Sequence, residues 1–321
     1  MVRYYGLIPV AFVWLTSLWP TVQGQPQVLP LEDTTLIDTS SLPQSGEPAE
    51  VWWQNPPTPL KIVGWSDHKI LSILNDPKPY VNFQTFFERY ALRFRGTPYG
   101  AGGKGTRIDQ TLINVEELDC VTFVENMLAL ALTQKQIQQT PNFPRHDSIR
   151  LYTFANILNQ IRYWRGENCG KPEDRMHYFT AALHEFQKYG WVFNVAGGGA
   201  GSIFYKKIDY ITSNPRRYAI DDRERMLQQE RDLTFLRRRY FHLNELYMYE
   251  AIAQPGDIIS LATDVPGLDV SHTGFIDIED GILKFTHSTA VGKRLQIRAD
   301  FCEYMSTRTS IIGFFVYRPT F

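Results

Sequence analysis

The sequence predicts an α+β fold, on two observations. Through the first half of the chain apolar residues recur at helical spacing, and from Asp257 onward they fall in short runs rich in Ile, Val, Phe and Thr. Helices first and strands afterwards give segregated layers rather than alternating βαβ units. The 321 residues hold 33 Lys and Arg against 34 Asp and Glu, a net charge of −1, with 43% hydrophobic and 14% aromatic residues. Such a chain can fill a core, which argues against pervasive disorder. It lacks the basic excess of a nucleic-acid-binding domain, so no nucleic acid is expected as a partner.

Residues 1–24 read as a secretory signal peptide. Arg3 is the positive start, Tyr5 to Trp19 is almost wholly apolar, and Val22-Gln23-Gly24 precedes Gln25. The apolar run is shorter than the ~20 residues that span a bilayer, and Pro9 and Pro20 interrupt it. Cleavage is therefore expected over an uncleaved anchor, placing the protein in a periplasm or outside the cell, without stable membrane insertion. Residues 25–79 read as a proline-rich linker or arm, with Trp52 and Trp53 as candidate pins against the domain surface. Residues 80–321 form the main domain.

Within it, Phe83, Phe86, Phe87, Tyr90 and Phe94 line one helix face, which Gly96 and Pro98 end. Thr97 to Gly103 is a loop by composition. A second helix is expected from about Asp119 to Gln134, apolar nearly all round and hence buried. Helices broken at Gly166–Pro172 follow between about Ser148 and Tyr189. Gly197–Gly201 is a loop, and the charged stretch Asp221–Arg239 is a solvated helix in a helical insertion near 205–250. Strands are expected at Asp257–Thr263, Ser271–Glu279, Ile282–Thr289, Arg294–Arg298 and Ser310–Arg318, with a hairpin turn at Asp280-Gly281.

The chemistry concentrates on Cys120. Asp119 can cap the second helix, which places Cys120 in its first turn, where unpaired N–H groups and the macrodipole favour a thiolate. The bland reading is a buried structural cysteine. In an oxidising compartment an odd cysteine is either paired between molecules or a reactive thiol, and Cys169 and Cys302 could pair and leave Cys120 free. A nucleophilic cysteine needs a base. A two-residue turn at Asp280-Gly281 puts His272 and His287 on one sheet face as diagonal neighbours, with Cα atoms about 7–8 Å apart. One imidazole can then act on the thiol while the other orients it. Three further readings stand beside this one. The Gly100–Thr106 run has a phosphate-loop composition but not the Gly-Lys-[Ser/Thr] order. Cys120, His272 and His287 could bind zinc. Glu116, Glu117 and Asp119 could be glycosidase carboxylates, or simply a solvated acidic turn.

Five motifs in order carry a resemblance. They are Thr97–Gly103, Leu118-Asp119-Cys120-Val121-Thr122-Phe123-Val124-Glu125-Asn126, Pro255-Gly256-Asp257, Ser271-His272-Thr273-Gly274 and His287-Ser288. Together they resemble the NlpC superfamily of papain-like bacterial cell-wall hydrolases. The Asp119–Asn126 run, Arg175-Met176-His177-Tyr178-Phe179 and Gly267–His272 are similar to its N-acetylmuramoyl-L-alanine amidase-like branch. The resemblance spans about Tyr80 to Pro319. It implies a papain-like fold, with Cys120 as nucleophile, His272 as base and His287 as orienting residue. Tyr99, Asp119, Thr122 and Ser271 are the expected substrate-binding residues. The implied substrate is a peptidoglycan fragment, a muropeptide, cut at the N-acetylmuramoyl-L-alanine bond, with no metal and no cofactor. The alternatives are a stem-peptide endopeptidase cutting between D-Glu and the diamino acid, and a non-catalytic cell-wall binding protein. The segment between Arg165 and Arg175 and the charged Asp221–Arg239 stretch depart from the family pattern.

Overall fold

A computed structural model describes residues 60–100, 111–166, 170–218 and 220–321. The signal-peptide segment, the arm as far as residue 59, most of the glycine-rich Gly100–Thr106 run, and Cys169 lie outside the described residues.

Helices begin where a cap and an apolar stripe coincide. The aromatic stripe forms α2, Phe83–Tyr90, continued by a tight turn at Ala91–Phe94. The Asn82 side chain accepts the Thr85 N–H at its start. Before α2 the structure departs from the expected arm. Leu60–Ile62 forms strand β1, which pairs in parallel with β2, Thr111–Ile113, and Ser66–Leu74 forms helix α1. Ile70, Ile73 and Leu74, at i, i+3 and i+4, are buried in the main core. One apolar stripe of three residues holds a short helix when a ready core receives it, and the prolines upstream hide that signal. The buried helix is α3, Cys120–Gln139; α4, Asp147–Arg162, and α5, Phe179–Lys188, complete the layer.

The remaining elements build one antiparallel sheet. In chain order they are β3 (Val192–Asn194), β4 (Ser202–Phe204), α6 (Arg223–Phe235), β5 (Arg238–His242), α7 (Leu246–Glu250), β6 (Ile258–Thr263), β7 (Val270–Glu279), β8 (Ile282–Thr289), β9 (Arg294–Asp300), α8 (Phe301–Ser306) and β10 (Ile311–Pro319). The spatial order is β4-β5-β10-β6-β7-β8-β9, and β3 also pairs with β10. The expected helical insertion near 205–250 is therefore corrected. It contains the solvated helix, α6, but also β5, which pairs with β10 and extends the sheet. Aromatic and apolar residues of β5, Tyr240 and Phe241, are buried on its two faces.

Neighbouring residues of the central strands point to opposite faces. Phe275 and Phe315 join the core beneath the helices, with Phe83, Phe87 and Phe123, while Ile276 and Phe314 join a second core with Phe285, Phe301 and Tyr249. Each fully buried Phe contributes roughly 1.5–3 kcal/mol, so both faces of the sheet are held firmly.

Candidate active site

The start of α3 is built by a reciprocal pair. Asp119 Oδ1 accepts the Thr122 N–H at 2.8 Å, and Thr122 Oγ1 accepts the Asp119 N–H at 2.8 Å. Both residues are fully buried. In this pair Asp119 Oδ1 and Thr122 Oγ1, both expected in substrate binding, are engaged in the helix start. Cys120, the first helical residue, is half-buried. One turn further, Glu125 is buried between two guanidinium groups, at 2.8 Å from Arg162 Nε and 2.8 Å from Arg175 Nη2. The Asp119–Asn126 and Arg175–Phe179 motifs thus meet in one ion cluster. From the sheet side, Ser288 Oγ donates to the Leu118 carbonyl at 2.6 Å. That bond ties the approach to Cys120 to the residue next to His287.

The imidazoles owe their meeting to the hairpin. Asp280 and Gly281 both have positive φ, 53° and 77°, as a type I′ turn requires. Glu279 pairs with Ile282, and the register runs unbroken to Phe275 opposite Thr286. His272 Nε2 and His287 Nδ1 lie 2.7 Å apart. Gly274 makes room, since a Cβ there would come within 2.8 Å of the His287 Cβ and 2.7 Å of the Thr286 carbonyl. Asp269 sets the entry to β7 by accepting from Thr180 N at 3.0 Å and Thr180 Oγ1 at 2.7 Å. Ser271 is exposed, where the β6–β7 register shifts.

Aromatic walls enclose the pair. The Phe285 ring stacks on His287 at 4.5 Å between centroids. Tyr304, from α8, stacks on His272 at 5.4 Å and meets His287 edge-on at 4.6 Å. Burial holds both imidazoles well below the ordinary histidine range. The Arg308 guanidinium adds to this at both, and at His287 so does His272. Both rings are therefore neutral near pH 7. Burial likewise pushes the Tyr304 phenol up to about 12, against the pull of Arg308, with contributions from Cys120 and Tyr99. Tyr304 is thus within electrostatic reach of the thiol and of Tyr99 while it touches both imidazoles. Cys120, His272, His287 and half-buried Tyr99 gather around it. Cys302 is an exposed thiol on α8, and Cys169, its candidate partner, lies outside the described residues.

Tyr304 and Arg308 escape a reading of single motifs, although Asp300 as cap with Phe301, Tyr304 and Met305 at helical spacing marks α8 in the sequence. Among the described residues no group of three His, Cys, Asp or Glu side chains is placed to hold a metal ion. Each imidazole directs one nitrogen at the other. Asp119, one of the three carboxylates considered for glycosidase chemistry, is buried in the cap.

A mixed α+β protein, with an antiparallel sheet that pairs two histidines and is bonded through Ser288 to the turn before a helix-start cysteine, is the class these features define. Residues 89–312 match the model of the AmiA-like family, described as N-acetylmuramoyl-L-alanine amidase-like, and the chain belongs to that family. Among solved structures it is similar to an N-acetylmuramoyl-L-alanine amidase from Bacteroides uniformis, at 23% identity and a TM-score of 0.61, over 80% of this chain and 100% of that one. A Bacteroides fragilis protein named provisionally as a xylanase matches at 28% identity and a TM-score of 0.61, over 71% of this chain and 98% of that one. A Legionella pneumophila protein matches at 17% identity and a TM-score of 0.58, over 79% and 94%. No curated protein matches the chain.

Proposed function

We propose that the protein is an exported cysteine amidase of the NlpC superfamily, papain-like in fold, that hydrolyses the N-acetylmuramoyl-L-alanine bond of muropeptides. Family membership supports a peptidoglycan amidase. The observation that carries the mechanism is the 2.7 Å contact between His272 Nε2 and His287 Nδ1 beside the start of α3. With Nε2 engaged there, His272 has Nδ1 left for the thiol. The tautomer this requires has His272 Nε2–H donating to His287 Nδ1.

In the proposed reaction His272 Nδ1 takes the Cys120 proton and the thiolate attacks the lactyl amide carbon. Backbone N–H groups at the start of α3 hold the oxyanion. Collapse breaks the C–N bond, and the proton returns from His272 to the alanine amine as it leaves. Water, deprotonated by His272, then attacks the thioester. The muramic acid carboxylate departs and Cys120 is regenerated. His287 keeps the His272 ring oriented and supports its cation. The apolar segment at residues 5–19 supports export; among the described residues no helix is long and apolar enough to cross a membrane.

Digestion of purified muropeptides with product masses measured is the test. Free muramic-acid-containing saccharide plus an intact stem peptide is expected, and Cys120→Ala should abolish it with melting temperature unchanged. A shortened stem would point to an endopeptidase, and no product to a binding protein. Wild-type turnover in Cys120→Ala would refute the nucleophile.

A further inference from the structure

One charged group borders the site without a carboxylate of its own. The Arg308 Cζ stands 3.5 Å from the centroid of the Tyr304 ring. Its Nη1 donates to the Tyr304 carbonyl at 2.7 Å and to Thr307 Oγ1 at 2.9 Å. The guanidinium is held in place by a ring face and two neutral oxygens. Several other arginines hold acids: Arg162 and Arg175 hold Glu125, Arg225 holds Asp174, Arg298 holds Asp277 and Arg318 holds Asp257, whereas buried Arg238, far from the histidines in sequence, donates to Thr180 Oγ1 and the Leu233 carbonyl. Arg308 is half-buried and makes no ion pair among the described residues. Its charge is felt at His272, His287 and Tyr304. A fixed, un-neutralised guanidinium beside a reacting centre favours an anion in the substrate, and its planar fork suits a carboxylate.

We infer that Arg308 is a specificity-determining residue that receives the first carboxylate beyond the scissile amide, the α-carboxylate of the second stem residue. This rests on the amidase reading. A muropeptide with D-glutamate at that position presents the anion, and one with D-isoglutamine presents a neutral amide of nearly the same shape. The preference for the acid comes from the charge-assisted hydrogen bonds that only the carboxylate can accept. Tyr304 sets the height of the guanidinium above the site and so the reach of those bonds.

The test compares N-acetylmuramoyl-L-alanyl-D-glutamate with N-acetylmuramoyl-L-alanyl-D-isoglutamine. It is run at pH 8, where the histidines are neutral with or without the Arg308 charge. The wild type should favour the acid by roughly ten- to a hundredfold in kcat/KM, the range expected of hydrogen bonds to a charged group. Arg308→Gln should bring that ratio close to one, and Arg308→Lys should keep part of it. General damage to the site would lower both substrates together and leave the ratio intact, which would overturn the inference, as would a wild type with no preference. Calorimetric binding of both dipeptides to Cys120→Ala, with and without Arg308→Gln, separates this inference from the reaction itself. If neither substrate is cleaved but the acid binds more tightly in an Arg308-dependent way, the amidase reading fails and the anion site stands. Without cleavage and without that preference, both fall.

Discussion

Cys120 and the histidine pair meet at one site, yet their supports differ in kind. Around Cys120 the anchors are polar: the Asp119–Thr122 pair, Glu125 between two arginines, and the Ser288 bond to the Leu118 carbonyl. Around His272 and His287 the walls are rings, Phe285 and Tyr304. Polar anchors fix a backbone position through directional bonds. Ring walls exclude water, and the exclusion keeps the imidazoles uncharged. In the proposed reaction the thiol side supplies placement and the imidazole side supplies protonation state.

The largest test of this contrast falls on the imidazole side. His272→Ala should lower turnover by about 10²–10⁴-fold, the span of general acid–base catalysis. His287→Ala should cost less, and His287→Asn or Gln less again, since an amide can still bond the His272 ring. Steady-state rates decide it, and wild-type rates in His287→Ala would assign the orienting role to another group. On the thiol side the effect should appear as stability. Glu125→Leu leaves two buried guanidinium groups without their anion, and should cost about 3–5 kcal/mol in urea unfolding. A change below about 1 kcal/mol would show that water already screens the cluster. The smallest effect expected is that of Asp119→Ala. Loss of a helix cap costs about 0.5–2 kcal/mol. Calorimetric melting should register that, together with reduced turnover as Cys120 loses its fixed position. Unchanged turnover would mean that the Ser288 bond alone suffices to place the thiol.

The parts legible in sequence are those that local rules determine. Strand β8 spans Ile282–Thr289, as its composition predicts, and the Asp280-Gly281 turn sets the register that brings two histidines together. The start of α3 follows from Asp119 as cap. What stayed hidden depends on partners far along the chain. Asp119 and Thr122 resemble site residues in a motif, but only packing reveals that they are buried. Strands β3 and β4 have three residues each, too few for a period. Strand β5 lies in a charged segment, and its place is decided by pairing with β10, far along the chain. Helix α8 has six residues, and what makes Tyr304 important is a contact with two strands. The Asp269–Thr180 bonds join the Gly267–His272 run to the residue that follows the Arg175–Phe179 run, although neither run contains a sign of the other.

The position of β10 has a further consequence, for the order in which the chain can assemble. It is the last strand in sequence, yet it lies between β5 and β6 in the middle of the sheet. Growth of the sheet from the amino-terminal side stalls with two unjoined pieces until Ile311–Pro319 arrives to bridge them. Contacts of such long sequence separation form slowly, because loop-closure entropy is lost before they are made. During synthesis the thiol therefore exists for some time in a chain that has no finished sheet around its histidines. Side chains as far apart in sequence as Cys120 and His287 therefore take their final places only once the last strand is seated between β5 and β6.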